Sequence, residues 1–475
     1  MMLVEIEIAV IGSGPGGSMT AALLAEAGKK VALFEKGKML ELSSCTPFSK
    51  LEMEQKYSYG GMTAALGKPK VAYVEGSCVG GGSEVNAGLY HRTPWSIIEQ
   101  WKTEFGLQGI QEEECLRLFE ENERDVGVSF MPASAIPPAS IRLKKGADLL
   151  GWQSMEVPRW YSYNEDGSGV KQSMTQTFIP RALKAGATLY SNTDISSIKK
   201  SNTSWVIYGT YLDGDRRKNI KIQAENVFVC AGAINSPVLL KRSGLSKNAG
   251  KNLHLHPTIK MVARFPEEVN NKYMGVPVHQ IKEFSPRISL GCSISTPPHL
   301  TLAMMDIPNG SSIVTSNWKN MAIYYAMTRS GKGSVKNTLV FRDPLVSFNI
   351  GDEGVKESIE GLLLLGECLF ASGAIELYPV VANAEPVKNM RELRQFVNEL
   401  TKERLNLMTI HLMSTCAMGE DKNICVTNSY GQVHDHKGLY VNDVSLLCSS
   451  LGVNPQGSVM MFVRRNCEFF LQENM

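Results

Sequence analysis

The chain has 475 residues, a net charge of +2, and 43% hydrophobic against 20% charged residues, an ordinary globular composition long enough for two large domains. No basic run points to nucleic acid or an anionic membrane surface, and the most apolar stretch, 361–367, is too short to span a bilayer. The ten cysteines are scattered without C-x-x-C spacing and the first strand begins by Val4, ahead of any room for an export signal, so reduced thiols and a cytoplasmic address are expected.

Residues 4–35 read as strand, glycine turn, helix and second strand. The turn sets Gly12, Gly14 and Gly17 in G-x-G-x-x-G spacing between an apolar β-branched run and the small-residue helix Ala21-Ala-Leu-Leu-Ala25. Gly12 permits the tight turn, Gly14 lets a pyrophosphate approach the backbone, and Gly17 lets helix pack on strand. The helix start points amide N–H groups and the positive end of its dipole at the phosphates. Glu35 ends the second strand, about 20 residues on, where an acid accepts hydrogen bonds from a ribose hydroxyl. Together these features predict a dinucleotide site.

Residues 42–72 carry few periodic runs and read as a long excursion that could cover an active site. A second glycine cluster follows at Gly80-Gly81-Gly82. Apolar spacing predicts helix over 97–125 and over 140–150, with a proline connector at 131–138 between them. Alternating runs from 187 to 230 predict strands, with Asp213-Gly-Asp as a hairpin turn. More β runs are expected at 259–265, 287–290, 300–304, 321–327 and 345–350, and this unbroken succession argues an antiparallel sheet. Helices are expected at 354–371, 389–408 and 458–471, the last after a strand at 438–443 and a glycine loop.

Read with these motifs, the chain resembles the glucose–methanol–choline (GMC) family of FAD-dependent oxidoreductases. Gly76-Ser-Cys-Val-Gly-Gly-Gly-Ser-Glu-Val-Asn86 is similar to the family's first signature, departing at Ser77. Gly232-Ala-Ile-Asn-Ser-Pro-Val-Leu-Leu-Lys-Arg-Ser-Gly-Leu-Ser246 is similar to the second, with Ser246 for Gly. Gly250-Lys-Asn-Leu-His-Leu-His-Pro257 resembles G-x-N-L-x-D-H-P with Leu255 for Asp. His411-Leu-Met-Ser-Thr-Cys-Ala-Met-Gly419 resembles H-x-x-G-T-C-x-M-G with Ser414 for Gly. Gly438-Leu-Tyr-Val-Asn-Asp443 and Gly452-Val-Asn-Pro455 complete the set.

The resemblance implies an α/β fold: a discontinuous Rossmann-like FAD-binding domain with an inserted α+β substrate domain on an antiparallel sheet. The expected segments are 1–95, 181–258 and 406–475 for FAD, and 96–180 and 259–405 for substrate. FAD contacts are expected from Gly12, Ser13, Gly14, Pro15, Gly16, Gly17, Glu35 and Lys36. Further contacts are expected from Gly80, Gly81, Gly82, Ser83, Asn86, Ala87, Gly88 and Leu89, where successive glycines let backbone lie against the cofactor. Ile195, Ala231, Gly232, Asp443, Asn454, Pro455 and Gln456 complete that set. Some members attach FAD covalently through a histidine in the cluster; Val85 aligns there, so non-covalent FAD is expected.

His411 and Asn454 are the expected catalytic pair. Oxidising an alcohol needs a base within about 3 Å of its oxygen and a pKa near the working pH, which histidine supplies. His411 is assigned that role, with Asn454 orienting the same oxygen. The expected partners are a small alcohol and oxygen or another electron acceptor, with neither nucleic acid nor membrane. Sequence leaves the alcohol open: a sugar-like or aminoglycoside-type alcohol is favoured over a sterol, and lyase, isomerase or photodecarboxylase chemistry on the same fold is the rival.

The remaining candidates read more blandly. His254 and His256 form H-x-H without a third ligand nearby, so no metal is expected. His434 and His436 lie in a turn, and His91-Arg92 could border the cavity. Trp152, Trp160, Tyr161, Tyr163, Met304, Met305, Tyr324, Tyr325 and Tyr378 suit core better than pocket. Glu376 and Tyr378 are guessed to meet substrate.

Overall fold

The structure is a computed structural model and describes residues 1–272, 274–338 and 343–474. Strand Met2–Ile11, helix Pro15–Glu26 and strand Val31–Phe34 form the expected βαβ unit, with both strands parallel and buried where they pair. They belong to a seven-stranded sheet in the order Thr193–Ser201, Ser204–Asp213, Arg216–Val229, Met2–Ile11, Val31–Phe34, Thr188–Tyr190. Leu439–Val441 also pairs in parallel with the end of Arg216–Val229. The Asp213–Arg216 turn closes the expected hairpin. Helix Pro15–Glu26 packs against Phe178–Lys184 and Gln456–Glu473, so the C-terminal helix covers the nucleotide unit at the start of the chain.

A nine-stranded sheet forms the second layer, all but one of its pairings antiparallel. Its centre, Thr258–Arg264, Met321–Thr328 and Ile288–Cys292, is covered by helix Gly351–Ala371, and the two sheets have separate apolar cores. Residues 63–65 and 71–73 of the early excursion and 407–409 join this sheet, although the segment division places them in the FAD-binding part. The short strand Val71–Tyr73 recruits Leu407–Thr409 as a parallel neighbour, a long-range pairing with no local signal.

Three element assignments are corrected. Residues 300–304, read as a β run, lie largely in helix Pro297–Ala303. Pro297 and Pro298 preset its first turn, and it buries Leu300 and Ala303 while exposing Leu302, a spacing of three that the apolar run conceals. The helix expected over 389–408 spans only Met390–Asn398; a 3₁₀ turn Lys402–Arg404 and a strand follow. Within 97–125, Gly106 at φ 66° ends one helix at Phe105 before another starts at Glu112.

Candidate active site

The first glycine turn is built against the neighbouring strand end. A Cβ on Gly12 would lie 2.3 Å from the Cys230 carbonyl oxygen, and one on Gly17 only 1.8 Å from the Gly12 carbonyl oxygen. Gly16 abuts Asn442 O at 2.1 Å in the same sense. Gly14 differs: nothing lies within 4 Å of its Cβ position, and helix Pro15–Glu26 begins directly after it. A helix start with unsatisfied amides facing free space suits an anion.

Ser13 joins this turn to its surroundings. Its amide and hydroxyl donate to Glu35 Oε2 at 2.9 and 2.8 Å, and the Gly80 amide donates to its Oγ at 3.1 Å. Gly37 N–H donates to Glu35 Oε1 at 2.7 Å, so the buried Glu35 carboxylate braces the end of the second strand. Lys36 is exposed beside it, and Ile195 lies on the strand next to this end, where Thr193 N–H donates to Glu35 O.

The second cluster touches the first. Gly80 and Gly81 take φ of 93° and 54°, and a Cβ on Gly81 would sit 2.8 Å from Gly14 Cα. Gly82 faces open space. Ser83 Oγ donates to Gly80 O at 2.7 Å, while Arg159 donates to Ala87 O at 3.0 and 2.8 Å. Gly88 packs on Trp160, and Leu89 bridges to Arg159. The cluster ends at Asn86, whose Nδ2 donates to Gln456 Oε1 at 2.8 Å.

Ala231 caps helix Gly232–Arg242 at the end of the third parallel strand. Asp443 is buried there and fully committed: it accepts from Gly232 N–H at 2.8 Å, Ser236 Oγ at 2.6 Å and Ser445 N–H at 2.7 Å. Its carboxylate therefore holds loops together, and its Cα lies 2.9 Å from the Cβ position of Gly16. Gly14, Gly82 and Gly232 lie on separate turns and each has free space at its Cβ position. This glycine-lined cradle fits an extended dinucleotide.

The expected catalytic residues come together beside it. His411 Nε2 stands 3.2 Å from Asn454 Nδ2, and Asn454 leads through Pro455 into the Gln456 that bonds Asn86. His411 is 8% exposed, and burial followed by the nearby Lys282 ammonium lowers its pKa to about 4. Behind it, His256 Nδ1 lies 3.0 Å from His411 Nδ1, and Gly452 N–H donates to His256 Nε2 at 2.9 Å. Gln280 Nε2 donates to Tyr325 Oη at 3.0 Å and to Asn454 Oδ1 at 3.5 Å. Lys282, directly after the strand His279–Ile281 that carries Gln280, donates to Ser289 Oγ at 3.3 Å, and burial lowers its pKa to about 8. His91 is buried; burial, then Lys282 and His411, hold its pKa well below 6.5 against an opposing hydrogen-bond interaction with Gln280.

Sequence reasoning gave Tyr325 and His256 bland roles and missed Gln280 and Lys282 altogether. Strand alternation through 279–282 is the signal that could have found the last two, since His279 turns away to Ser140. Glu376 and Tyr378 do not reach the site. Glu376 is bound by Arg264 and by the Tyr378 hydroxyl at the far end of strand Thr258–Arg264, about 20 Å from the His256 end at strand rise. Met304 and Tyr324 are core, while Met305 is exposed. His254 faces Asn252, His434 bonds Gly419 O, and His436 meets the edge of Trp205. All ten cysteines are free and buried.

Residues 53–258 and 336–462 match the two GMC oxidoreductase family models, and residues 10–40 an NAD(P)-binding Rossmann-like domain. The chain belongs to the GMC oxidoreductases. An uncharacterized GMC-type oxidoreductase of Sinorhizobium fredii is 34% identical over 99% of this chain and 95% of its own. The long-chain-alcohol oxidase FAO3 of Arabidopsis thaliana is 26% identical over 96% of this chain and 66% of its own. The crystal structure of a pyridoxine 4-oxidase from Mesorbium loti shares the fold, with a TM-score of 0.74 and 16% identity over 98% of this chain and 99% of that one. As a GMC oxidoreductase the protein is an FAD-dependent enzyme acting on alcohols, in a mixed α/β fold. Among the described residues no helix is long and apolar enough to cross a membrane.

Proposed function

We propose that this GMC oxidoreductase converts a primary or secondary alcohol to its carbonyl, with FAD held non-covalently along the glycine turns and the alcohol oxygen held by His411 and Asn454. The observation that carries this is the 3.2 Å approach of His411 Nε2 and Asn454 Nδ2, on a segment bonded to the second glycine cluster through Gln456 and Asn86. The residues that would hold FAD are those of the two glycine turns with Glu35, Ile195, Gly232, the Asp443 backbone and Gln456. When bound, FAD supplies the two-electron acceptor that takes the hydride. His411 and Asn454 fix the oxygen so that the carbinol C–H is presented in one orientation. Burial keeps His411 neutral.

The substrate side favours a hydroxylated, sugar-like alcohol. Gln280, Tyr325, Asn454 and His91 offer polar groups to hydroxyls, while the Lys282 ammonium repels the cationic amines of an aminoglycoside. A long-chain alcohol is the second reading, favoured by the likeness to the Arabidopsis oxidase over 96% of this chain. A cytoplasmic enzyme reoxidised by oxygen or another acceptor completes the proposal.

Anaerobic mixing of the yellow enzyme with a panel of sugar-like, sterol and long-chain alcohols is the test. At least one should bleach the flavin. His411→Ala and Asn454→Ala should retain the flavin spectrum yet lose about 100-fold or more in reduction rate, the scale of removing one group that stabilises a developing oxyanion. Undiminished reduction in both variants would reject the assigned pair. No bleaching by any alcohol would favour lyase, isomerase or photodecarboxylase chemistry.

A further inference from the structure

The role of His411 depends on which of its nitrogens carries the proton, and that is decided two residues away. An amide N–H can only donate, so the 2.9 Å bond from Gly452 makes His256 Nε2 an acceptor without a proton. His256 is fully buried and stays neutral, because burial, then the neighbouring His411, hold its pKa well below 6.5. A neutral imidazole has one N–H, which here must be on Nδ1. That nitrogen faces His411 Nδ1 at 3.0 Å, so His411 Nδ1 is the acceptor of the pair. His411 is neutral too, and its single proton is left on Nε2, beside the Asn454 carboxamide. Gln280 Nε2 donates to Asn454 Oδ1, which leaves Asn454 Nδ2–H on the same side as His411 Nε2–H.

We propose that His256 is a positioning residue that locks His411 in the Nε2–H tautomer, so that His411 and Asn454 both donate to the alcohol oxygen. With the proton on His411 Nε2 the 3.2 Å contact sets donor against donor, and an oxygen placed off their line within reach of both accepts from each. The pair is then an oxyanion clamp that favours the alkoxide, from which a hydride leaves more readily. In this tautomer Nε2 has no free lone pair, so under the proposal the base role expected of His411 passes to another group. The hydroxyl proton leaves for another acceptor, and His91, a buried neutral imidazole whose polar neighbour is Gln280, is the candidate.

The proposal rests on this being the alcohol site, but its test needs no alcohol. FAD-loaded full-length enzyme labelled with ¹⁵N-histidine is examined by long-range ¹H–¹⁵N correlation near pH 7.5. Signals are assigned by their disappearance in His411→Gln and His256→Gln. The expected result is His411 protonated on Nε2 and His256 on Nδ1, opposite tautomers in one spectrum. His256→Phe should release His411 into a mixture of tautomers while flavin absorbance per protein is kept. Finding His411 protonated on Nδ1 in the unsubstituted enzyme overturns the proposal, as does an unchanged His411 pattern in His256→Phe. Should that variant not fold, the spectrum of the unsubstituted enzyme decides alone. Failure of the alcohol panel would leave the tautomers as they are, so the two readings fail separately.

Discussion

At the scale of single residues, departures from a motif carry as much information as matches. Ser414 stands where the family has glycine, and it keeps the glycine conformation, with φ of 73°. Its hydroxyl is buried with no hydrogen-bond partner among the described residues. A left-handed non-glycine residue and an orphaned hydroxyl each cost on the order of 1 kcal/mol. Ser414→Gly should therefore raise the melting temperature of the holoenzyme, and a scan showing a clear fall would contradict this. His411 and Asn454 were legible because their motifs are local strings. Gln280 and Lys282 were not, because nothing in the three-residue strand His279–Ile281 or the residue after it says which face meets a histidine 130 positions later. Glu376 illustrates the reverse error: a carboxylate near small residues looked available, whereas Arg264 had already claimed it.

At the scale of elements, two glycines of one turn do different work. Gly17 sits 1.8 Å, at its Cβ position, from backbone that cannot move without breaking the strand–helix contact, whereas Gly14 has open space and an ordinary φ of −64°. Gly17→Ala should destabilise the protein by more than about 3 kcal/mol or prevent folding. Gly14→Ala should leave the melting temperature of the cofactor-free protein unchanged and weaken FAD retention about tenfold or more, read as flavin absorbance per protein after dialysis. Equal behaviour of the two variants would show that the turn has been misread. This βαβ unit could be read from sequence because its period changes from strand to helix at a glycine triplet. The helix at Pro297–Ala303 could not, since a five-residue apolar run fits either period and only packing decides. The pairing of Val71–Tyr73 with Leu407–Thr409 is set by tertiary contact alone.

At the scale of the molecule, six imidazoles, His91, His254, His256, His279, His299 and His411, have their pKa lowered, with burial the first cause in each. Unfolding returns each to a pKa near 6.5, so between about pH 6.5 and pH 4 the unfolded chain binds protons that the folded chain refuses. Stability must fall as pH drops through that window, by up to about 3 kcal/mol for a histidine lowered from 6.5 to about 4. Thermal melts at pH 7.5 and pH 5 should show a lower midpoint in acid, and the gap should narrow in His254→Gln, which lies outside the catalytic pair. An unchanged gap would mean that this histidine does not stay neutral in the folded protein.

The bond between Asn86 and Gln456 joins side chains 370 positions apart, and Thr93 and Ser458 are joined beside it. One wall of the proposed cofactor site is thus translated 370 positions before the other. On a ribosome, the nascent polypeptide has its glycine turns long before it has anything to close over them. Flavin retention by the proposed site therefore waits on the later segment, and a polypeptide halted before residue 454 is expected to emerge colourless however well residues 1–258 have folded.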